Sequence, residues 1–136
     1  MGSGVGGPMR SIARFSVASI TAASLNAYQV GRCKKLTEKA GLNHLCRCEQ
    51  GDYTNLTELV GTGSMDAAYA IESLCHQTPR HPVLAEAFRV RERGGLFSRT
   101  TGVSPRFLRS GMRRTYESNV GSNMVMACRI SSATPN

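Results

Sequence analysis

The stretch that decides the fold is Met1-Gly-Ser-Gly-Val-Gly-Gly-Pro-Met-Arg10, a glycine-rich turn that leads through Pro8 into an amphipathic helix. Glycine adopts unusual backbone angles and lets a ligand approach the main chain closely. Proline fits the first turn of a helix, because the N–H that it lacks has no partner there. The free N–H groups and the positive dipole end of such a helix favour anions. The stretch is therefore typical of the start of an α/β nucleotide-type site.

The totals of the chain fit one domain with a core of ordinary size. It has 136 residues and a net charge of +8, of which residues 98–136 carry +5 and residues 1–97 only +3. The first part of the chain is therefore nearly balanced, and the basic character lies in an arginine-rich tail. No run of about 18 apolar residues predicts a transmembrane helix, and we recognise no signal peptide.

The five cysteines do not form a pattern that predicts bridges or a metal site. They are Cys33, Cys46, Cys48, Cys75 and Cys128. An odd, scattered set argues against a disulfide framework, and the single Cys46-Arg-Cys48 spacing has no second pair to complete a zinc site. We predict reduced thiols in an intracellular compartment and no bound metal.

Hydrophobic periodicity predicts strands that alternate with helices. The helices are predicted at residues 8–15, 27–40 and 82–91, and the strands at 16–25, 45–50, 65–71 and after a turn at 94–95. Residues 54–64 and the tail from Ser98 onward show no sustained period. Short links between the elements imply right-handed βαβ units and a mostly parallel sheet, whose carboxyl ends bind the ligand. The predicted strand ends are followed by residues 2–7, Asn26, Asp52 and Glu72, which are therefore the candidate site residues.

The residues at the strand ends leave several kinds of site open. Gly2, Gly4 and Gly7 satisfy the dinucleotide pattern G-x-G-x-x-G, but residues 24–27 lack the acid that a nicotinamide cofactor requires about 20 residues further on. A nicotinamide-dependent oxidoreductase is thus disfavoured, although it stays an alternative. Asp52 is suited to accept a hydrogen bond from an adenine amine, or it is a surface turn residue.

Longer runs of the chain resemble the sterol C-24 methyltransferases, which are class I enzymes that use S-adenosylmethionine. The runs are Gly2-Ser-Gly-Val-Gly-Gly-Pro-Met-Arg10 with Ile12-Ala-Arg-Phe15, Asn26-Ala-Tyr-Gln-Val30, Gly51-Asp-Tyr53, Asp66-Ala-Ala-Tyr-Ala-Ile-Glu-Ser-Leu-Cys-His76, Phe88-Arg-Val90 and Gly94-Gly-Leu-Phe97. Their order and spacing agree over residues 2–97. The resemblance implies a Rossmann-like class I methyltransferase sheet and a partial S-adenosylmethionine-binding domain over residues 1–97.

The resemblance also implies roles for the residues at the strand ends. Those that would hold the cofactor are Gly2, Gly4 and Gly6 at its methionine part, Asn26 and Gln29 at the ribose, Asp52 at the adenine, and Ile71 and Glu72 beside the sulfonium. Tyr69, Glu72 and His76 match the residues near the methyl transfer to the side-chain alkene of a sterol, and which of them is the base stays open. The family further implies peripheral membrane association at the endoplasmic reticulum.

The chain also departs from the family. The strand that the family has before the first glycine is absent, so we expect an incomplete sheet with its two flanking strands exposed, and weak or no activity. Residues 98–136 are predicted to be a poorly ordered basic tail outside the family. DNA that encodes the family's motifs would give residues 100–105, 112–115 and 125–131 if it were read one base late. We therefore interpret the tail as the product of a shifted reading frame. A small basic RNA-binding protein is the alternative interpretation, without an aromatic stacking platform to support it.

Overall fold

A computed structural model describes residues 3–71, 73, 78–100 and 124–129 of the chain. The elements are α1 (Gly7–Ser16), β1 (Ser19–Ser24), α2 (Ala27–Lys39), β2 (Cys46–Gln50), a 3-10 helix (Tyr53–Asn55), α3 (Leu56–Val60), β3 (Met65–Ile71), α4 (His81–Val90), β4 (Arg91–Thr100) and β5 (Met124–Arg129). The predicted alternation of strands and helices is confirmed, with bounds that differ by a few residues. At β1 the start shifts because residues 16 and 17 end α1 rather than begin a strand, and β4 begins at Arg91, before the predicted turn.

The strands form one sheet in the order β2-β1-β5-β3-β4. β1 pairs with β2 in parallel, and β3 pairs with β4 in parallel. β5 lies between these two pairs and runs antiparallel to both of its neighbours. The predicted mostly parallel α/β sheet is therefore confirmed, with one antiparallel strand at its centre.

The central strand comes from the segment in which we expected no regular element. Ala127 of β5 is in register with Thr21 of β1 and with Ala68 of β3. The expectation that β1 and β3 would each expose an unpaired edge is therefore wrong. The physical reason is that two facing strand edges offer rows of free N–H and C=O groups, and an extended segment from anywhere in the chain can satisfy them.

Two apolar clusters cover the two faces of the sheet. The first lies under α1 and α2 and includes Met9, Ala13, Ile20, Ala22, Val30, Cys33, Cys46 and Cys48. The second lies under the 3-10 helix, α3 and α4 and includes Ala23, Tyr53, Leu56, Ala70, Val83 and Val90. Successive residues of a strand point to opposite faces. Ala22 and Ala23 accordingly belong to different clusters.

The 3-10 helix and α3 were not predicted from the sequence. A buried carboxylate of α4 holds α3 in place. Glu86 is only 2% exposed. Its Oε2 accepts hydrogen bonds from the Thr57 backbone N–H at 2.9 Å and the Thr57 hydroxyl at 2.8 Å, and its Oε1 pairs with Arg89 at 2.6 Å. The residues that fix α3 are thus about 30 positions away, and no local period reveals them.

The predicted turn at Gly94-Gly95 is an irregularity inside β4. The strand runs from Arg91 without a break, and its register with β3 shifts between Met65 and Ala67. Gly94 has a φ of 88°, and a Cβ added at Gly95 would lie 2.8 Å from the Asp66 carbonyl oxygen. The glycine pair therefore permits a bulge and a close approach of β3, instead of reversing the chain.

The central position of β5 can be tested with Ala127→Pro, compared with Ala127→Ser. Proline removes a ladder N–H from a strand that is paired on both sides, whereas serine keeps it. We expect Ala127→Pro to lower the free energy of unfolding by about 1–3 kcal/mol, the cost of an unmade buried hydrogen bond. Denaturant titration measures the difference, and equal stability of the two variants would contradict the pairing.

Glu86 predicts a specific dependence of stability on pH. Burial alone would raise the pKa of Glu86, but the hydrogen bonds from Thr57 and the ion pair with Arg89 outweigh burial and lower it. A folded-state pKa below the unfolded value of about 4.3 means that the carboxylate stabilises the fold above that pH. This stabilisation is lost as the pH falls through the lowered folded-state pKa.

The test compares the wild type with Glu86→Gln at pH 7 and at about pH 3. We expect the variant to be less stable by about 1–2 kcal/mol at pH 7, and the difference to shrink at the acidic pH. Glu92→Gln is the matched control, because Glu92 is exposed and its change should leave stability nearly constant at both values. A difference for Glu86→Gln that persists at low pH would contradict the role of the charge.

Candidate functional site

The glycine-rich loop is fixed to the carboxyl end of β1. The Ser3 N–H donates to the Ala23 carbonyl at 2.8 Å, and the Gly6 N–H donates back to the Ser3 carbonyl at 2.9 Å. Gly4 and Gly6 have φ values of 52° and 75°, a region that side chains disfavour. The loop is therefore a closed turn whose backbone conformation depends on glycine at both positions.

The loop continues into α1 with its helix end open to a ligand. Gly6 is the N-cap of α1 and provides no side-chain cap, and the first turn contains no acidic residue. The Arg10 side chain donates to the Val5 carbonyl at 2.8 Å and so holds the loop from inside the helix. The arrangement leaves the positive end of the helix dipole without a carboxylate of its own first turn, which favours a negatively charged ligand group.

Asn26 and Gln29, predicted to contact a ribose, lie where β1 passes into α2. The Asn26 Oδ1 accepts from the Gln29 N–H at 3.2 Å and caps α2. The buried Ser24 hydroxyl donates to the Gln29 Oε1 at 3.1 Å and accepts from the Asn26 N–H at 3.3 Å. Ser24 is a residue that sequence reasoning missed, and its polar side chain at the end of an apolar strand was the available signal.

Asp52, predicted to contact an adenine, caps the 3-10 helix that follows β2. Its Oδ1 accepts from the Thr54 N–H at 2.8 Å, and the side chain is exposed. The Gly51 N–H donates to the Ser24 carbonyl at 3.1 Å, which ties this turn to the end of β1. Burial, and next the charge of Asp52, raise the pKa of the adjacent Tyr53, so this phenol stays neutral beside the site.

The structure thus brings together the loop, the start of α2 and the Asp52 turn. Tyr69 and Ile71 belong to β3, which β5 separates from β1, so these strands are about 10 Å apart. Tyr69 is half-buried and packs against the cluster under α1. The remaining predicted site residues, Gly2, Glu72 and His76, lie outside the described residues.

An apolar cleft of about 390 Å³ lies beside Tyr69 and Ile71, between α1 and the β3–β4 part of the sheet. Its lining includes Ile12, Ala67 and Leu96. A second cavity of about 370 Å³ lies between α2 and β2 and has a polar, mixed-charge lining. The first cleft suits an apolar group near Tyr69, and the second does not.

The prediction that all cysteines are reduced is wrong for one pair. Cys33 of α2 and Cys48 of β2 form a disulfide across 15 positions of sequence. The odd number of cysteines argued only against a framework of several bridges. This single bridge instead depends on how one helix packs on one strand.

Cys46 is free and buried. Burial raises the pKa of its thiol, while the charge of Arg10 opposes that shift. Within the described part of the chain, no three potential ligands form a metal cluster.

A model of the methyltransferase domain family matches residues 1–98. The chain belongs to this family. The 24-methylenesterol C-methyltransferase 3 of Arabidopsis thaliana is 43% identical over 96 residues, which are 71% of this chain and 26% of that protein. The cycloartenol-C-24-methyltransferase of the same plant is 37% identical over 98 residues, 72% of this chain and 29% of that protein. The chain thus spans about a quarter of the length of these methyltransferases.

Solved structures share the fold. The geranyl diphosphate C-methyltransferase of Streptomyces coelicolor A3(2), solved with Mg²⁺, geranyl diphosphate and S-adenosyl-L-homocysteine, superimposes with a TM-score of 0.70 at 21% identity. It covers 81% of this chain and 40% of that one. A putative sarcosine dimethylglycine methyltransferase of Galdieria sulphuraria gives a TM-score of 0.69 at 22% identity, over 78% and 41% of the two chains.

These comparisons confirm the predicted fold class and family. Together with the family match, they support S-adenosylmethionine as the cofactor, as the sequence predicted. Among the described residues, none of the helices has both the length and the apolar character needed to cross a bilayer.

The requirement for glycine in the loop can be tested with Gly6→Ala, compared with Gly7→Ala. A Cβ at Gly6 would lie 2.5 Å from the Cys33 Sγ on a backbone with positive φ, whereas a Cβ at Gly7 meets nothing within 4 Å. We expect Gly6→Ala to cost about 1–3 kcal/mol of stability, and Gly7→Ala to change it little. Thermal melts of the two variants measure the contrast, and equal melting temperatures would contradict it.

Proposed function

We propose that this chain is the cofactor-binding part of an S-adenosylmethionine-dependent sterol C-24 methyltransferase. The observation that carries the proposal is the glycine loop, which hydrogen bonds hold at the carboxyl end of β1 next to two further polar strand ends. The similarity to sterol C-methyltransferases over about 70% of the chain supports the sterol as substrate. Association with the endoplasmic reticulum is part of the same proposal.

The chemical character of the residues at the proposed site is compatible with S-adenosylmethionine. The loop and the open end of α1 offer backbone N–H groups and positive potential to the methionine carboxylate. In this proposal Asn26 and Gln29 bind the ribose hydroxyls, and Asp52 binds the adenine amino group. All three side chains are held by hydrogen bonds within the protein, so little freedom is lost when they bind.

The chemistry of the proposal needs a dry cleft and a base. The bound cofactor supplies an electrophilic methyl group, and its addition to the alkene of a sterol side chain leaves a carbocation that must lose a proton. The apolar lining of the cleft beside Tyr69 and Ile71 supports such a centre, because it offers few polar groups to hold water. Tyr69, Glu72 and His76 remain the candidate groups for stabilising the cation and accepting the proton.

The two alternative functions have less support. An oxidoreductase that uses a nicotinamide cofactor needs a carboxylate at the end of β1, where the structure has Asn26 as the helix cap. A nucleic-acid-binding role depends on the tail arginines, most of which lie outside the described residues. The family match ends at residue 98, which supports the proposal that residues 98–136 are a tail outside the family.

Calorimetric titration of the full chain with S-adenosylmethionine tests the cofactor assignment. Asp52→Ser should keep the helix cap, because serine caps well, but it removes the longer carboxylate from the adenine position. We expect an affinity about tenfold weaker, which corresponds to one hydrogen bond to a charged group. Glu38→Gln, an exposed change on α2, is the control and should bind like the wild type. Tighter binding of a dinucleotide than of S-adenosylmethionine would favour the oxidoreductase instead.

Methyl transfer from labelled cofactor to a Δ24 sterol tests the expected loss of activity in this chain. We expect weak or no turnover by this chain alone, even where the donor binds, since the matched region is about a quarter of the relatives' length. Robust turnover would contradict that expectation and would support the sterol assignment.

The frame-shift interpretation of the tail is tested by the coding DNA, which should encode Tyr-x-Trp and Gly-x-Gly-Leu-Pro in the neighbouring frame.

A further inference from the structure

The disulfide connects two elements that carry the candidate cofactor residues. Cys33 lies in α2, whose first turn follows Asn26, and Cys48 lies in β2, which leads to Asp52. Both cysteines are almost completely buried in the cluster under α1 and α2. The bridge therefore fixes α2 to β2 beneath the site.

One sulfur of the bridge also contacts the glycine loop. A Cβ built on Gly6 would lie 2.5 Å from the Cys33 Sγ and 2.9 Å from the Arg10 guanidinium, so these groups pack directly on the Gly6 backbone. Arg10 in turn holds the Val5 carbonyl. The position of the Cys33 sulfur and the conformation of the loop thus depend on one another.

The Cys48 end of the buried bridge borders a cavity that offers a route for a small reagent. Cys48 lines the polar cavity of about 370 Å³ between α2 and β2, together with Lys34 and Arg47. Glu38 and Glu49 line the same cavity, so the two cations and two carboxylates balance, and a neutral or zwitterionic thiol can approach without net repulsion. The free thiol of Cys46 lines the same cavity, two residues from Cys48.

We propose that Cys33–Cys48 is a reversible thiol–disulfide site that controls the order of the loop at residues 3–6. The part of the proposal that concerns cofactor affinity rests on the function proposed above. With the bridge closed, the loop, the start of α2 and the end of β2 are held in one arrangement. With the bridge open, the loop loses order and the affinity for the methyl donor falls.

The chemistry balances with a small dithiol as the reductant. A thiolate of the dithiol attacks one sulfur of the bridge, the S–S bond breaks, and a mixed disulfide forms. The second thiol of the reagent then releases the protein, which leaves two protein thiols and one cyclic disulfide. Two electrons and two protons pass from the reagent to Cys33 and Cys48, and a low-molecular-weight disulfide reverses the exchange.

The physical effect of opening the bridge follows from space and chain entropy. Two sulfur atoms that are no longer bonded need more room than a bonded pair, and Gly6 is an immediate neighbour of Cys33 in a close-packed cluster. Opening the bridge also removes the covalent link that restrains the 15-residue connection from α2 to β2. Both effects act on the loop and on the two elements beside it.

Hydrogen exchange of the full chain, with and without dithiothreitol, tests the site without any ligand. The reporters are the Gly6 and Arg10 amides, which donate within the loop and the first turn of α1. We expect their exchange to become at least about fivefold faster after reduction, a typical size for coupling between two sites. Unchanged exchange, or free alkylation of Cys33 and Cys48 before reduction, would overturn the proposal.

Variants separate this bridge from the other thiols. A Cys33→Ala/Cys48→Ala chain should lose the response to dithiothreitol, whereas Cys46→Ala and a Cys75→Ser/Cys128→Ser chain should keep it. A response that survives in the double alanine chain would overturn the proposal. If that chain fails to fold, the comparison of the oxidised and reduced wild type still decides the question.

Titration with S-adenosylmethionine in both redox states then tests the link to the site. We expect the reduced chain to bind at least about fivefold more weakly. Equal affinity in the two states would overturn the control of binding. If neither state binds the donor but the loop amides still respond, the proposed function fails and the thiol–disulfide site stands.

Discussion

The sheet depends on the pairing of β5 with β1 and β3. In the described part of the chain, β1 and β2 form one parallel pair with α1 and α2 above it, and β3 and β4 form another with α4 on the opposite face. Among the described strands, no ladder joins these halves except through β5. The halves also pack on each other through the two apolar clusters and the Thr57–Glu86 hydrogen bonds, and the β5 ladder fixes their register within the sheet.

This division also separates the parts of the candidate site. The loop, the start of α2 and the Asp52 turn all belong to the first half, and their hydrogen bonds run to the end of β1. Tyr69 and Ile71 belong to the second half. Most of the proposed cofactor residues thus belong to the first half, whereas Ile71, proposed to lie beside the sulfonium, belongs to the second. The distance between these two groups of residues depends on the β5 ladder.

The sequence predicted those parts of the structure that local patterns determine. α1, α2 and β3 follow from periodicity, with Pro8 as the start signal of α1, and the strand-end positions of Asn26 and Asp52 follow from the alternation of elements. β5 was not predictable, because its conformation depends on two distant partners rather than on its own residues. The Cys33–Cys48 bridge was missed for the same reason, since it reports the packing of α2 on β2.

Asn26 and Asp52 show that a structural role and a binding role need not exclude each other. Each side chain caps a helix through its Oδ1, which would be a sufficient explanation for an Asx residue after a strand. The cap, however, fixes the rotamer and leaves other polar atoms of the same side chain for a ligand. A group held in this way loses little freedom on binding. The caps at the ends of β1 and β2 are therefore an argument for a preorganised site, and the disulfide beneath them restrains the same two elements.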